Sequence, residues 1–136
     1  MYKCKYFKIE ELVSQATLAY LGEEACWKLL DERALMMLDK LRETFGPATV
    51  NDWVFGGKFD SRGFRAPNDQ DGARYSDHRF GRAFDVIFKK VSAKDARAYI
   101  LARKDDFPYI TCIEDGVSWL HFSCRNTNRI EIITAK

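Results

Sequence analysis

The chain has 136 residues, 46% of them hydrophobic, 14% aromatic and 31% charged, with a formal net charge of +2. That length fits one domain, residues 1–136, whose core can bury about two thirds of the unfolded surface. The composition excludes the disordered class, no run approaches the ~18 apolar residues of a membrane span, and the charge is too mild for a nucleic-acid partner.

The start, "MYKCKYFKIEELVSQ", carries early lysines but no apolar stretch of the kind a signal peptide needs, so synthesis in the cytoplasm is expected. Residues 5–14 read as a short helical lead-in. The strongest helix follows in "GEEACWKLLDERALMMLDKLRETFG", where Trp27, Leu30, Ala34, Met37, Leu38, Leu41 and Phe45 recur at helical spacing. Glu23 and Glu24 suit its start, Arg42 its end, and Gly46-Pro47 stops it.

"ATVNDWVF" reads as a strand with Val50 and Val54 on one face. Gly56 to Tyr75 is polar and rich in turn residues, and a loop of about twenty residues in a small domain is usually functional or disordered. "AFDVIFKKV" is a strand apolar enough to be central, and Ser92 with Asp95 predicts a capped helix start. "YITCIE" and "VSWLHF" read as strands joined through Asp115-Gly116, and "RIEIIT" as a last strand. Helices first and strands later predict an α+β fold, N-terminal helices packed on a mostly antiparallel sheet. The four cysteines, Cys4, Cys26, Cys112 and Cys124, lack CxxC spacing and are expected to be reduced and mostly buried.

The chain has two histidines, His78 and His121. His78 opens "SDHRFGRAFDV", where Gly81 lets the backbone turn and Asp85 follows at the mouth of a strand. His121 lies within the later strand "SWLHFSC". Two imidazoles and one carboxylate make a catalytic metal set that leaves a position open for water. The same spacing also fits a surface turn histidine and an ordinary strand histidine.

The segment "SDHRFGRAFDV" resembles the S-x-H-x-x-G-x-A-x-D signature of the M15 zinc peptidases, matching at Ser76, His78, Gly81, Ala83 and Asp85. That family includes D,D-carboxypeptidases and phage L,D-endopeptidase lysins, and shares its fold with the hedgehog signalling domain. Upstream, "SRGFRAPN" is similar to the family's S-G-[YF]-R segment, with Arg62 inserted after Ser61. Downstream, "EDGVSWLHFS" resembles the stretch leading to the last zinc histidine. The likeness spans roughly residues 48–125 and is strongest to the small members found in bacteriophage genomes.

The resemblance implies a hedgehog/D,D-peptidase-like fold and a zinc ion held by His78, Asp85 and His121. It further implies a monomeric, endolysin-like hydrolase that cuts peptidoglycan stem peptides and reaches the cell wall through a separate pore. Arg65 would bind a substrate carboxylate or steady the oxyanion. Ser76 and Trp119 would contact substrate, although Trp119 fits a core aromatic equally well. Arg79 and Arg82 are expected to face solvent or pair with aspartates.

The general base is open between Glu114 and Asp115, because the position three before His121, acidic in several relatives, is Ser118. A two-residue hairpin at Asp115-Gly116 would hold Glu114 about 13 Å from His121, too far to act unless the turn is wider. Many relatives have an aspartate where Ser123 stands, two residues after the histidine. Ser123 would be a weaker support for that ligand. The alternative reading is a non-catalytic, zinc-stabilised phage structural or cell-wall-binding domain.

Overall fold

A computed structural model describes residues 1–135. Its helices are α1 (Gln15–Leu21), α2 (Glu23–Leu29), α3 (Glu32–Phe45) and α4 (Ala93–Ala102). Its strands are β1 (Ala48–Thr49), β2 (Ala83–Phe88), β3 (Cys112–Asp115), β4 (Leu120–Ser123) and β5 (Glu131–Thr134). The sheet order is β1-β2-β4-β3-β5. Every neighbouring pair is antiparallel except β3 with β5, which is parallel. The α+β class and the mostly antiparallel sheet are therefore as the pattern predicts.

The long N-terminal helix is two helices. Leu30 and Asp31 are extended, with ψ of 137° and 124°, and the Asp31 side chain caps α3 by accepting from the Arg33 N–H. Asp31 is a strong N-cap type, so the apolar stripe runs unbroken through a chain break that local chemistry imposes. The break has a use, because the freed Asp31 N–H donates to the Gly81 carbonyl at 2.8 Å. The helical lead-in contracts to a single 3-10 turn at Ile9–Glu11. In "ATVNDWVF" only Ala48 and Thr49 pair. Val50 is buried, but Val54 is exposed in the middle of a 3-10 turn at Trp53–Phe55.

Strand alternation divides the sheet into two faces. Phe84, Val86, Ile113, Leu120 and Phe122 join Leu35, Leu38 and Leu41 of α3 and Ile100 of α4 in one core. Burying each such side chain stabilises the fold by about 1.5–3 kcal/mol. The intervening residues, Asp85 on β2, His121 and Ser123 on β4 and Glu114 on β3, belong to the opposite face. That face carries the polar chemistry beneath the irregular segment 56–75 and the 3-10 turn Asp77–Phe80. Three cysteines are buried, Cys4 is half-buried, and all four thiols are free. Among the described residues, no helix is long and apolar enough to cross a membrane.

Candidate metal centre

The residues of the signature motif are placed by backbone geometry. Ser76 caps the turn Asp77–Phe80 through the His78 N–H, and Gly81 ends it in the left-handed region at φ 69°. A side chain at Gly81 would press on the Leu29 carbonyl at the α2 terminus. The chain then enters β2, which carries Asp85. From the other side, the segment 62–65 is stitched in place. Its Phe64 N–H donates to the Leu12 carbonyl, its Arg65 N–H to the His78 carbonyl, and its Arg62 carbonyl accepts from the Asp85 N–H. Gly63 lies so close to Leu12 that any Cβ there would collide with the Leu12 carbonyl.

His78, Asp85 and His121 are brought together, with relative exposures of 2%, 6% and 7%. His78 Nε2 lies 3.2 Å from Asp85 Oδ1 and 3.3 Å from His121 Nδ1. His121 Nδ1 lies 2.8 Å from Asp85 Oδ1. The His78 Nδ1 contact with the Gly63 carbonyl, at 2.8 Å, fixes the tautomer, because a carbonyl can only accept. In its neutral form His78 then turns a lone pair from Nε2 toward a carboxylate oxygen and a second imidazole nitrogen. Three buried groups that can each accept converge here, and a positive charge at their centre would satisfy them together. A proton serves one edge of the triangle, whereas a cation serves all three. The group can hold a metal ion.

Burial works against ionisation of Asp85. The hydrogen-bonding contacts with His121 and His78, and the charge at those rings, outweigh it and hold the carboxyl well below the usual carboxylate range. Its second oxygen, Oδ2, lies 3.3 Å from Arg65 Nη2, and Arg65 Nε donates to the Ser61 carbonyl at 2.7 Å. Arg65 is thus anchored beside the triad and lines the same cleft.

That cleft, about 380 Å³, is walled by Arg65, Ser76, Glu114 and Trp119 around the triad. The β3–β4 turn is wider than a two-residue hairpin. Glu114 is the direct cross-strand partner of His121, and the connection runs through four residues, Gly116 to Trp119. The separation of about 13 Å that a tight turn would impose does not exist. Directly opposed residues have Cβ atoms about 4.5–5.5 Å apart. Asp115 points the other way. Its Oδ1 accepts from the Gly116 N–H at 2.9 Å and lies 3.5 Å from Arg97 Nε on α4, outside the cleft. Trp119 stands half-buried on the cleft wall, and its Nε1 is a buried donor without a partner among the described residues.

Two features escaped the sequence reading. Ser123 does not support His121, because its hydroxyl donates to Asp77 Oδ2 at 3.0 Å. Asp77, buried at 5% exposure, also accepts from Arg82 Nε and Arg125 Nε, each at 2.8 Å. This cluster ties the turn that bears His78 to the strand that bears His121. The expected pairing of Arg82 with an aspartate is borne out, whereas Ser123 and Arg125 as further partners of Asp77 were not anticipated. Arg79 is half-buried and pairs with no aspartate side chain. Its guanidinium donates to five backbone carbonyls, those of Ala66, Pro67, Asp69, Asp71 and Ala73.

Comparisons of the chain with models of known protein families, with curated proteins and with solved structures found no match.

Proposed function

We propose that the protein is a zinc-dependent peptidase that hydrolyses peptide bonds in the stem peptides of bacterial peptidoglycan, in the manner of the M15 family that its motifs resemble. The observation that carries the reading is the position of Glu114, directly opposite His121 and on the wall of the cleft that holds the triad.

His78 Nε2, Asp85 Oδ1 and His121 Nδ1 would hold the zinc. Donors at about 2.0–2.2 Å from a tetrahedral zinc stand roughly 3.3–3.5 Å apart. The contacts of 3.2 and 3.3 Å fit that spacing, and the 2.8 Å contact is shorter. Zinc, when bound, supplies a Lewis acid for the scissile carbonyl and brings the pKa of water to about 7.

The chain's own residues supply the rest. Glu114 takes a proton from the attacking water and returns it to the leaving amine as the C–N bond breaks. Arg65 fixes the Asp85 carboxylate and turns its remaining N–H groups toward a substrate carboxylate or developing oxyanion. The Gly63 carbonyl keeps His78 in the tautomer that presents Nε2, the support a ligand imidazole ordinarily receives.

Mass spectrometry of purified peptidoglycan, incubated with zinc-loaded protein beside a chelator-treated control, tests this. New fragments lost on chelation support the peptidase, and their masses identify the bond cut. Bound zinc with no fragment from Gram-negative or Gram-positive walls would support the second reading, a zinc-stabilised phage structural or cell-wall-binding domain. The absence of an acid at Ser118 favours that second reading.

A further inference from the structure

Beside the metal cleft lies a second cavity of about 570 Å³, and the two share Gly72, Arg74 and Tyr75. A ligand seated at the triad and crossing the Arg74–Tyr75 ridge enters this cavity without leaving the surface. Its rim carries two aromatic rings that belong to no core, Tyr75 at 73% exposure and Phe80 at 53%. Exposed aromatic rings grouped at a cavity mark a binding surface more often than chance exposure does. The lining also includes the polar residues Asp69 and Gln70.

One side chain ties the floor together. Arg79 lines the cavity, and its donors are already taken by the five carbonyls of segment 66–73. It builds the wall and is not available as an anion receptor. Arg74 lies 5.5 Å from the Tyr75 ring centroid and Arg82 lies 5.1 Å from that of Phe80, each cation seated against a ring that remains exposed. Flat apolar rings flanked by a carboxylate and an amide suit a ligand with apolar C–H faces and a hydroxylated edge. A pyranose ring has that character. Asp69 Oδ1 already accepts from the Asp71 N–H at 2.8 Å, which leaves the other carboxylate oxygen for a ligand hydroxyl.

We propose that this second cavity is a saccharide subsite, which binds the amino-sugar strand while the stem peptide attached to it occupies the metal cleft. The identity of the sugar rests on the peptidoglycan reading above, whereas the existence of the subsite does not depend on hydrolysis.

The experiment titrates chelator-treated protein, by calorimetry, with peptide-free glycan strands and separately with free stem peptide. Phe80→Ala and Tyr75→Ala are tested beside the unsubstituted chain, with melting temperatures checking that each folds. Glycan binding that weakens tenfold or more in both variants, with free stem peptide unaffected by Phe80→Ala, is the expected result. No glycan binding by the unsubstituted chain, or glycan binding indifferent to both substitutions, overturns the subsite. Stem-peptide binding lost in Phe80→Ala overturns the saccharide assignment. Walls that are cut by a chain that binds no glycan refute the subsite and leave the peptidase standing. Glycan binding by a chain that cuts nothing does the reverse.

Discussion

Glu114 and Asp85 flank His121 in one row across the sheet, Glu114 as its partner on β3 and Asp85 as its partner on β2. The strand pairing alone therefore sets one prospective ligand between another and an acid of the cleft wall. No loop has to fold correctly to bring the three together, and rigid strands hold such groups more reliably than loops do.

This row predicts a clear split between neighbouring acids. Glu114→Gln keeps the shape and should lower peptide hydrolysis by about 10²–10⁴-fold, the usual range for a general base, with metal content unchanged. Asp115→Ala should leave the rate within about twofold, because its carboxylate serves Arg97 and the turn. Steady-state rates on muropeptides, beside metal analysis of each variant, decide the matter. A full-rate Glu114→Gln would remove Glu114 from the chemistry.

Metal binding should be read out in stability as well. A ligand that binds only the folded chain stabilises it by about 2.7 kcal/mol at a hundredfold excess over Kd, a shift of roughly 10 °C in a domain of this size. Zinc titrated into chelator-treated protein should raise Tm by that order and saturate at one ion per chain. His121→Ala should abolish the rise. Scanning calorimetry with and without chelator measures it, and a Tm indifferent to zinc would refute the site outright.

The triad was legible in the sequence as one reading of two histidines and an aspartate, His78 at a turn and Asp85 and His121 on strands, which the spacing by itself did not separate from ordinary histidines. His121 and Asp85 each sit between two core residues of a strand, so their shared face follows from the period of two. The width of the β3–β4 turn was not legible. Asp115-Gly116 is a strong hairpin signal, yet the register is set by where Ile113, Leu120 and Phe122 meet the core, and that places the turn two residues wider. The Asp77 cluster was hidden for a different reason. Asp77 draws its partners from positions 82, 123 and 125, and sequence spacing carries no information on contacts of 46 and 48 residues. The break between α2 and α3 was visible only as one aspartate within an unbroken apolar stripe.

That aspartate yields a prediction with a definite sign. The Arg33 side chain beside Asp31 holds its carboxyl below the ordinary value; burial opposes this, and the backbone N–H groups of Arg33 and Ala34 add to it. A carboxyl depressed in the folded state contributes stability above its unfolded pKa, near 4, and loses it as pH falls through the folded value. Asp31→Asn keeps the cap and removes the charge. At pH 7 it should cost about 0.5–1 kcal/mol, a modest figure because the Arg33 side chain is 39% exposed. The gap to the unsubstituted chain should close as pH falls below about 4. Urea midpoints at pH 7, 5 and 3 follow it, and a gap that widens in acid would contradict the assignment.

Arg79 offers the sharpest test of how the wall of the second cavity is built. Five carbonyls of segment 66–73 converge on its one planar fork, so the segment's shape depends on a side chain outside it. Arg79→Ala should leave those carbonyls to water. Local opening should then become easier by about 1–3 kcal/mol, with global Tm moved far less, because the core lies on the other face of the sheet. Arg79→Lys should rescue little, since an ammonium offers three donors without the fork that spans the group. Hydrogen exchange across residues 66–76 measures the opening directly. Faster exchange there in both variants, with protection in β2 and β4 retained, is the expected pattern. Full rescue by lysine would mean that charge, and not the geometry of the fork, holds the loop.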